Sequence, residues 1–337
     1  MRWIIRLLFT LIVGGLIVAG AVAYWSYKDL RAPGPSTADT TVVIQSGTSV
    51  NGIARQLEEA RVIRDARTFG LRARFLPEGQ SLKAGEYRFP AAISAEAAMQ
   101  KMIAGDVVQY SVTIPEGLTS VQILARIAAA PDLEGSVPTA PPSEGSLLPE
   151  TYQFNRGDTR AEIVARMTQA MDDTMAELWP KRAKDLPLAT PQEAIILASI
   201  VEKETGLAAE RPRVAAVFVN RLRQGIPLQS DPTIIYFLTG GTGPLDRGLT
   251  FADLDKPDPY NTYLNAGLPP GPIANPGRAS LEAVLNPPST KELYFVADGT
   301  GGHAFAETLE QHNKNVANWR KIQKEKKDGA AGSGTEN

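Results

Sequence analysis

Between Arg6 and Lys28 the chain runs for 21 residues, Leu7 to Tyr27, without one charged side chain. A helix of that length rises about 30 Å, the thickness of a bilayer's hydrocarbon core. Arg2 and Arg6 lie on its short side, and only Lys28-Asp29 follow directly on its long side. That asymmetry predicts an N-terminus in the cytoplasm and export of everything after the run. Ala21-Val22-Ala23 fits the small-x-small cleavage pattern, so a removed signal peptide is the alternative. The run is longer than a usual signal core, which favours an uncleaved anchor. The expected order therefore starts with a cytoplasmic segment 1–6 and a transmembrane helix 7–27.

The remainder is long enough for about two domains. Residues 28–40 are rich in Pro, Gly, Ser and Thr and read as a linker. Thr41–Ile44 reads as a strand, followed by a Ser-Gly turn. Val50, Ile53, Ala54 and Leu57 recur at helical spacing behind Ser49 as N-cap. A second helix around 65–75, a strand 84–89 and a third helix 94–106 complete a small α/β module, 41–108. Its strand, glycine turn and helix resemble the opening of a LysM-type glycan-binding module, with a ligand-free spacer as the competing reading.

A larger mixed α+β domain is expected over 109–323. It has helices at 119–130, 160–179, 191–205, 211–224, 278–285 and 308–323. A hairpin is expected from 293–297 and 303–306 around the turn 298–302. Residues 131–147, 228–238 and 257–277 read as long ordered loops. The tail 324–337 is of low complexity and reads as disordered.

Several chemistries fall away on composition. The chain has no cysteine, which removes disulfides, thiolate nucleophiles and Cys-based metal sites. With two histidines, His303 and His312, a multi-histidine metal site is not expected, and no cofactor is implied. A net charge of −2 gives no sign of a nucleic-acid partner. The glycines at 298–302 form a tight turn and no phosphate loop, since no Lys-Ser/Thr pair follows them.

The stretch 194-AIILASIVEKETG-206 holds the most informative residues. Glu204 shares a helix face with Leu197, Ile200 and Val201, whereas Glu202 points toward Ser199, on what reads as the wetter side. A carboxyl on an apolar face is either paired with a cation, here Arg221 or Arg223, or kept as an acid by desolvation. Gln229 offers an amide suited to hydroxyl and N-acetyl groups. Asp231 is a candidate second carboxylate, although Ser-Asp-Pro-Thr is also an ordinary turn or cap. Tyr260, Asn261 and Tyr263 offer stacking rings and an amide, against plain packing and turn formation. His303 opens the return strand of the hairpin, as an active-site partner or a structural one.

The blocks 198-ASIVEKET-205, 218-FVNRL-222, 228-LQSDPTIIY-236, 260-YNTY-263, 267-GLPPGPIANPG-277 and 294-YFVADGTGGHAF-305 resemble the signature blocks of the YceG-like (MltG) family of membrane-anchored endolytic murein transglycosylases. The resemblance implies cleavage of the MurNAc-β-1,4-GlcNAc bond within peptidoglycan strands, leaving a 1,6-anhydro-MurNAc end and ending strand growth. It implies a single pass through the cell inner membrane, the bulk of the chain in the periplasm, and peptidoglycan synthases as partners. It places the catalytic acid at Glu204. Gln229, Asp231, Tyr260, Asn261, Tyr263, His303 and, in the second block, Asn220 form the expected substrate-binding set. Two other readings remain: a hydrolytic muramidase using a second carboxylate, and a scaffold that binds glycan without cutting it.

Overall fold

The structure, a computed structural model, describes residues 2–77 and 80–332, with side chains described as far as residue 326. The chain forms two compact units. The first takes the chain up to Tyr110 together with Asp132–Glu134 and Gln153–Asp158. The second takes Ser111–Pro131, Gly135–Tyr152 and everything from Thr159. Two segments beyond Tyr110 thus return to the first unit, which a single cut between residues 108 and 109 does not describe. Their reason is visible in its contacts: Arg156 donates to Glu86 at 2.7 Å, and Phe154 stacks on Tyr110.

The first unit begins with α1 (Arg2–Arg31), which is long enough to cross a membrane and holds no buried residue in its most apolar window. After it come β1 (Thr40–Ile44), α2 (Val50–Glu59), α3 (Ala66–Arg74), β2 (Gly85–Phe89) and α4 (Ala95–Ala104). The strands pair antiparallel, with Thr40 opposite Phe89 and Ile44 opposite Gly85. Ser49, Asp65 and Ser94 cap the three helices by accepting backbone N–H groups. Ile53, Leu57, Phe69, Tyr87, Phe89, Met99 and Met102 fill the core, joined by Leu30 from the end of α1.

The expected linker 28–40 is not a free tether. α1 continues through Arg31, and the segment behind it is tied down. Gly34 donates its N–H to the carbonyls of Ala92 and Ile93, Arg64 donates to the Pro33 carbonyl, and Ser36 is buried. A Cβ at Gly34 would collide with the carbonyl oxygens of Ile93 and Val62, so only glycine fits there. Composition suggests flexibility, but Gly34 and Ser36 here serve close approaches.

The second unit is mainly helical. β3 (Tyr110–Thr113) and β4 (Thr151–Phe154) pair with each other. Between them lies α5 (Ser120–Ala128), and after them come α6 (Arg160–Leu178), α7 (Pro191–Glu204), α8 (Arg211–Gln224), α9 (Asp231–Thr239), α10 (Phe251–Leu254) and α11 (Arg278–Leu285). The hairpin β5 (Tyr294–Ala297) and β6 (His303–Ala306) follows, closed by α12 (Leu309–Gly332). Every residue from Ala194 to Val201 of α7 is buried, because α8 and α11 pack around it. Full burial of each such Leu, Ile or Val side chain is worth about 1.5–3 kcal/mol, so α7 is the pillar on which the unit stands.

Two expectations change, and one unassigned stretch gains an element. Residues 231–239 form a helix instead of a loop. Pro232 occupies the second helical position, where a missing N–H costs nothing, and the unbroken apolar run behind it carries no period to read. Residues 151–154, to which periodicity assigns no element, form a strand. The closing helix runs on past residue 323 to Gly332, helped by lysines and glutamates four apart such as Lys321 and Glu325. The tail beyond 332 lies outside the described residues.

One side chain knits the second unit across long sequence separations. Asn275, fully buried, donates to the Leu118 carbonyl, Ser120 Oγ and Glu144 Oε1, and accepts the N–H of Leu147. Its NH2 group and its oxygen are both engaged, as a buried amide requires.

Candidate active site

Glu204 is the last residue of α7. The chain then leaves the helix at Thr205, so the carboxyl stands at the end of the buried pillar, partly open to solvent yet deep among protein atoms. Burial pushes its pKa from the usual carboxylate range up to about 7. The Ser230 hydroxyl works against that shift, the negative charge of Asp231 adds to it, and His303 and Arg221 weigh against it. At neutral pH a large fraction of Glu204 therefore holds its proton.

Ser230 comes to it on the loop before α9. It stands at the N-cap position but makes no side-chain capping bond. Its hydroxyl instead donates to Glu204 Oε1 at 2.5 Å. Thr262 fixes the loop by accepting the Ser230 N–H at 3.0 Å, and Thr233 donates to the Ser230 carbonyl at 2.7 Å.

The cation option for Glu204 is not realised. Arg221 is buried and directs its guanidinium elsewhere: Nε to the Leu293 carbonyl, and Nη1 to the carbonyls of Pro227 and Leu228 and to Gln229 Oε1. It clamps the 227–229 loop onto the strand end. Arg223 donates to Asn220 and to the Asp185 carbonyl. Among the described residues, no side-chain nitrogen lies within ion-pair distance of Glu204.

The expected site residues divide in two. Asp231, Tyr263 and His303 are close enough to Glu204 to feel its charge, and Gln229 precedes Ser230 on the same loop. Gln229 holds the left-handed φ of +53°, a sparsely populated conformation for a side chain of its size. Its amide oxygen is held by Arg221, which leaves the exposed NH2 end to donate outward. Asp231 is exposed and accepts the Tyr263 hydroxyl at 2.6 Å, and burial together with that bond raises the phenol's pKa. His303 is held on both sides by Glu210, through its backbone N–H at 2.9 Å and Nδ1 at 2.7 Å, with Phe295 edge-on to the ring.

Tyr260, Asn261 and Asn220 sit differently. Tyr260 packs against Tyr236, ring centroids 5.1 Å apart. Asn261 is wholly buried, donating to the Leu254 and Lys256 carbonyls and accepting the N–H of Tyr263. Asn220 donates to the Thr290 and Glu292 carbonyls. Their amides are committed to backbone and shape the loops that carry the others. Glu202 is also not the solvated carboxylate expected. Its side chain is 5% exposed, accepts the Gly277 N–H at 2.9 Å, and meets Arg211 at 3.4 Å. His312, in the closing helix, stacks on Tyr294, which lies against the Arg221 guanidinium.

Ser230, Glu210 and the clamping role of Arg221 do not stand out in the sequence. The Ser-Asp-Pro-Thr run reads as an ordinary cap and gives no signal that the Ser230 hydroxyl goes to Glu204 instead. A cavity of roughly 520 Å3 opens beside Asp231 and Lys203, walled by Leu118, Ile235, Tyr236 and Ile273. Among the described residues, no group of three or more His, Asp and Glu side chains is placed to hold a metal ion.

Comparison with known proteins gives a consistent picture. The sequence profile of the YceG-like family matches residues 42–318. The chain is 33% identical over 332 residues to the endolytic murein transglycosylase of Bacillus subtilis (strain 168), covering 89% of this chain and 90% of the relative. It is 31% identical to the protein of that name from Streptococcus pneumoniae serotype 2 (strain D39), covering 82% of this chain and 58% of the relative. A 2.6 Å crystal structure of a YceG-like protein from Listeria monocytogenes superposes with a TM-score of 0.50 at 32% identity. That match spans 83% of this chain and 99% of that one.

Proposed function

The chain belongs to the YceG-like family, and from that membership we infer that it is an endolytic murein transglycosylase with Glu204 as its acid. The observation that carries the assignment is Glu204 itself: desolvated, unpaired with a cation, open on one side, and with a pKa near 7. A glycosidic oxygen is a poor leaving group and must be protonated as its bond breaks. A carboxyl held near half-protonation at neutral pH can do this, as the buried glutamic acid of lysozyme does.

The reaction balances without water. Glu204 gives its proton to the GlcNAc O4 as the MurNAc C1–O4 bond breaks. The C6 hydroxyl of the same MurNAc forms the new C1–O6 bond and returns its proton to the Glu204 carboxylate. The product is a 1,6-anhydro end, and the tethered nucleophile needs no second approach from solution. Gln229 donates its NH2 to sugar hydroxyl or N-acetyl oxygens. Asp231, oriented by Tyr263, and His303, oriented by Glu210, flank the acid and complete the polar wall. Tyr260, Asn261 and Asn220 act through the loops they hold.

α1 anchors the protein in the inner membrane with its N-terminus in the cytoplasm, and the rest works in the periplasm on growing strands, beside the synthases that make them. The β1-α2-α3-β2 order of the first unit supports a LysM-like reading. A polar groove beside Gln45, Ser46, Gly85 and Arg156 is the place for a glycan there. Asp231 keeps the hydrolytic alternative specific, since it is a second carboxylate whose charge reaches Glu204 and which would there activate a water. Mass spectrometry of products from purified glycan strands decides between them. The expected ends are lighter by one water than reducing ends, and Glu204→Gln produces none. Reducing ends from the wild type overturn the transglycosylase reading.

A further inference from the structure

The C-terminal end of α1 is packed against the first unit. Ala23, Ser26 and Tyr27 line a cleft together with Leu71, Arg72 and Phe75, which belong to α3 and its C-cap. Ala23 and Ser26 lie inside the uncharged run that ends at Tyr27. Ala23 is about 6 Å further into that run along the helix axis. Side chains sharing a cleft with Ala23 therefore share the depth of the membrane boundary. Two of them are large, apolar and open: Leu71 is 51% exposed and Phe75 74%. Tyr24 and Trp25 of α1, also exposed, mark the same level, where aromatic rings gather at membrane interfaces.

The other flank of α3 is basic. Arg55, Arg67 and Arg74 line a groove between α2 and α3 with Asn51, Glu58 and Leu71. Glu58, the carboxylate there, is engaged in accepting the Ala66 N–H. Leu71 borders both the groove and the cleft, so an apolar strip and a basic strip run side by side. That is the pattern of a helix lying in an interface, apolar face inward and arginines at phosphate level. The tied segment from Ala32 to Ser36 leaves the unit little freedom to lift away from α1.

We propose that α3 is a second membrane contact, with Leu71 and Phe75 entering the leaflet beside α1 and Arg55, Arg67, Arg72 and Arg74 binding lipid phosphates. The proposal rests on reading α1 as an uncleaved anchor. It makes the first unit a body held against the bilayer at two points.

The absence of cysteine permits a direct test. Single-cysteine variants of the full chain, Leu16→Cys, Phe75→Cys and Val43→Cys, carry an environment-sensitive fluorophore. They are reconstituted in vesicles of phosphatidylcholine and phosphatidylglycerol containing spin-labelled lipid. Positions 16 and 75 should be quenched and position 43 should not. Quenching at 16 without quenching at 75 overturns the proposal and leaves the anchor standing. No quenching at 16 overturns the anchor reading, and the proposal with it. Adding Arg67→Glu and Arg74→Glu should lower quenching at 75 by about half or more, because each basic side chain near an anionic surface contributes to its hold. Unchanged quenching in that variant overturns the role of the arginines.

Discussion

Ser230 donates its hydroxyl to Glu204 across 2.5 Å, although it stands where a serine would ordinarily cap the following helix. The bond favours the ionised carboxylate, whereas the neighbouring Asp231 charge favours the protonated one. The acid's working range is thus set by two adjacent residues pulling in opposite directions against a large desolvation.

These two residues should move the pH profile in opposite senses. The basic limb of kcat/KM in the wild type is expected near pH 7, where free Glu204 loses its proton. Ser230→Ala removes a pKa-lowering bond and should carry that limb to higher pH. Asp231→Asn removes a pKa-raising charge and should carry it lower. Each shift is expected to be about half to one pH unit. Shifts of the same sign in both variants would rule the scheme out.

Glu204 should weaken the fold wherever it must ionise. Its folded pKa is about 7, against 4.5 without burial. The cost is absent below about pH 4.5, accumulates as pH rises to 7, and is complete above it. Glu204→Gln should then raise stability by up to about 3 kcal/mol at pH 8 and by little at pH 4, while abolishing cleavage. Urea unfolding at the two pH values measures the difference.

Arg221→Lys keeps the charge but loses the planar fork that reaches Pro227, Leu228, Gln229 and Leu293 together. A loss of about 1–3 kcal/mol in stability is expected. Turnover should fall too, because the same clamp sets the loop that carries Gln229 and Ser230. Undiminished turnover in a folded variant would separate the clamp from catalysis.

Gly277 has no room for a side chain while Glu116 stays in place, since a Cβ there would collide with the Glu116 carboxyl. Glu116 in turn meets Arg211, which also pairs with Glu202. Gly277→Ala should cost about 1 kcal/mol or more in the wild type and clearly less in a Glu116→Ala background. Thermal denaturation of the four proteins in the cycle tests the coupling. Additive losses would count against it.

What is legible in the sequence follows from single-element periodicity. The spacing of Leu197, Ile200, Val201 and Glu204 is enough to find the buried helix and its odd carboxyl. The same reasoning fails for Glu202, because a helical wheel assumes a wet side. α7 has none over its middle: Ser199 is fully buried, donating to the Ile196 carbonyl and accepting the Ile273 N–H. Ser230 stays hidden because its role depends on a partner 26 positions away. Asn220 and Asn261 read as sugar ligands because an amide suits a hydroxyl and a backbone carbonyl equally well, and only the fold says which one it meets. Residues 28–40 read as a tether for a similar reason: small residues serve both loose chains and tight contacts.

Asn275 has a consequence for how the second unit comes into being. Its side-chain partners Leu118 and Glu144 precede it by 157 and 131 residues. At synthesis rates of about 5–20 residues per second, those earlier segments wait roughly seven to thirty seconds for it. During that interval α5 and the loop after it have emerged without the amide that satisfies their polar groups. The long-range bonds that join the segments around residues 118 and 144 to Asn275 can therefore form only late, after residue 275 has been made.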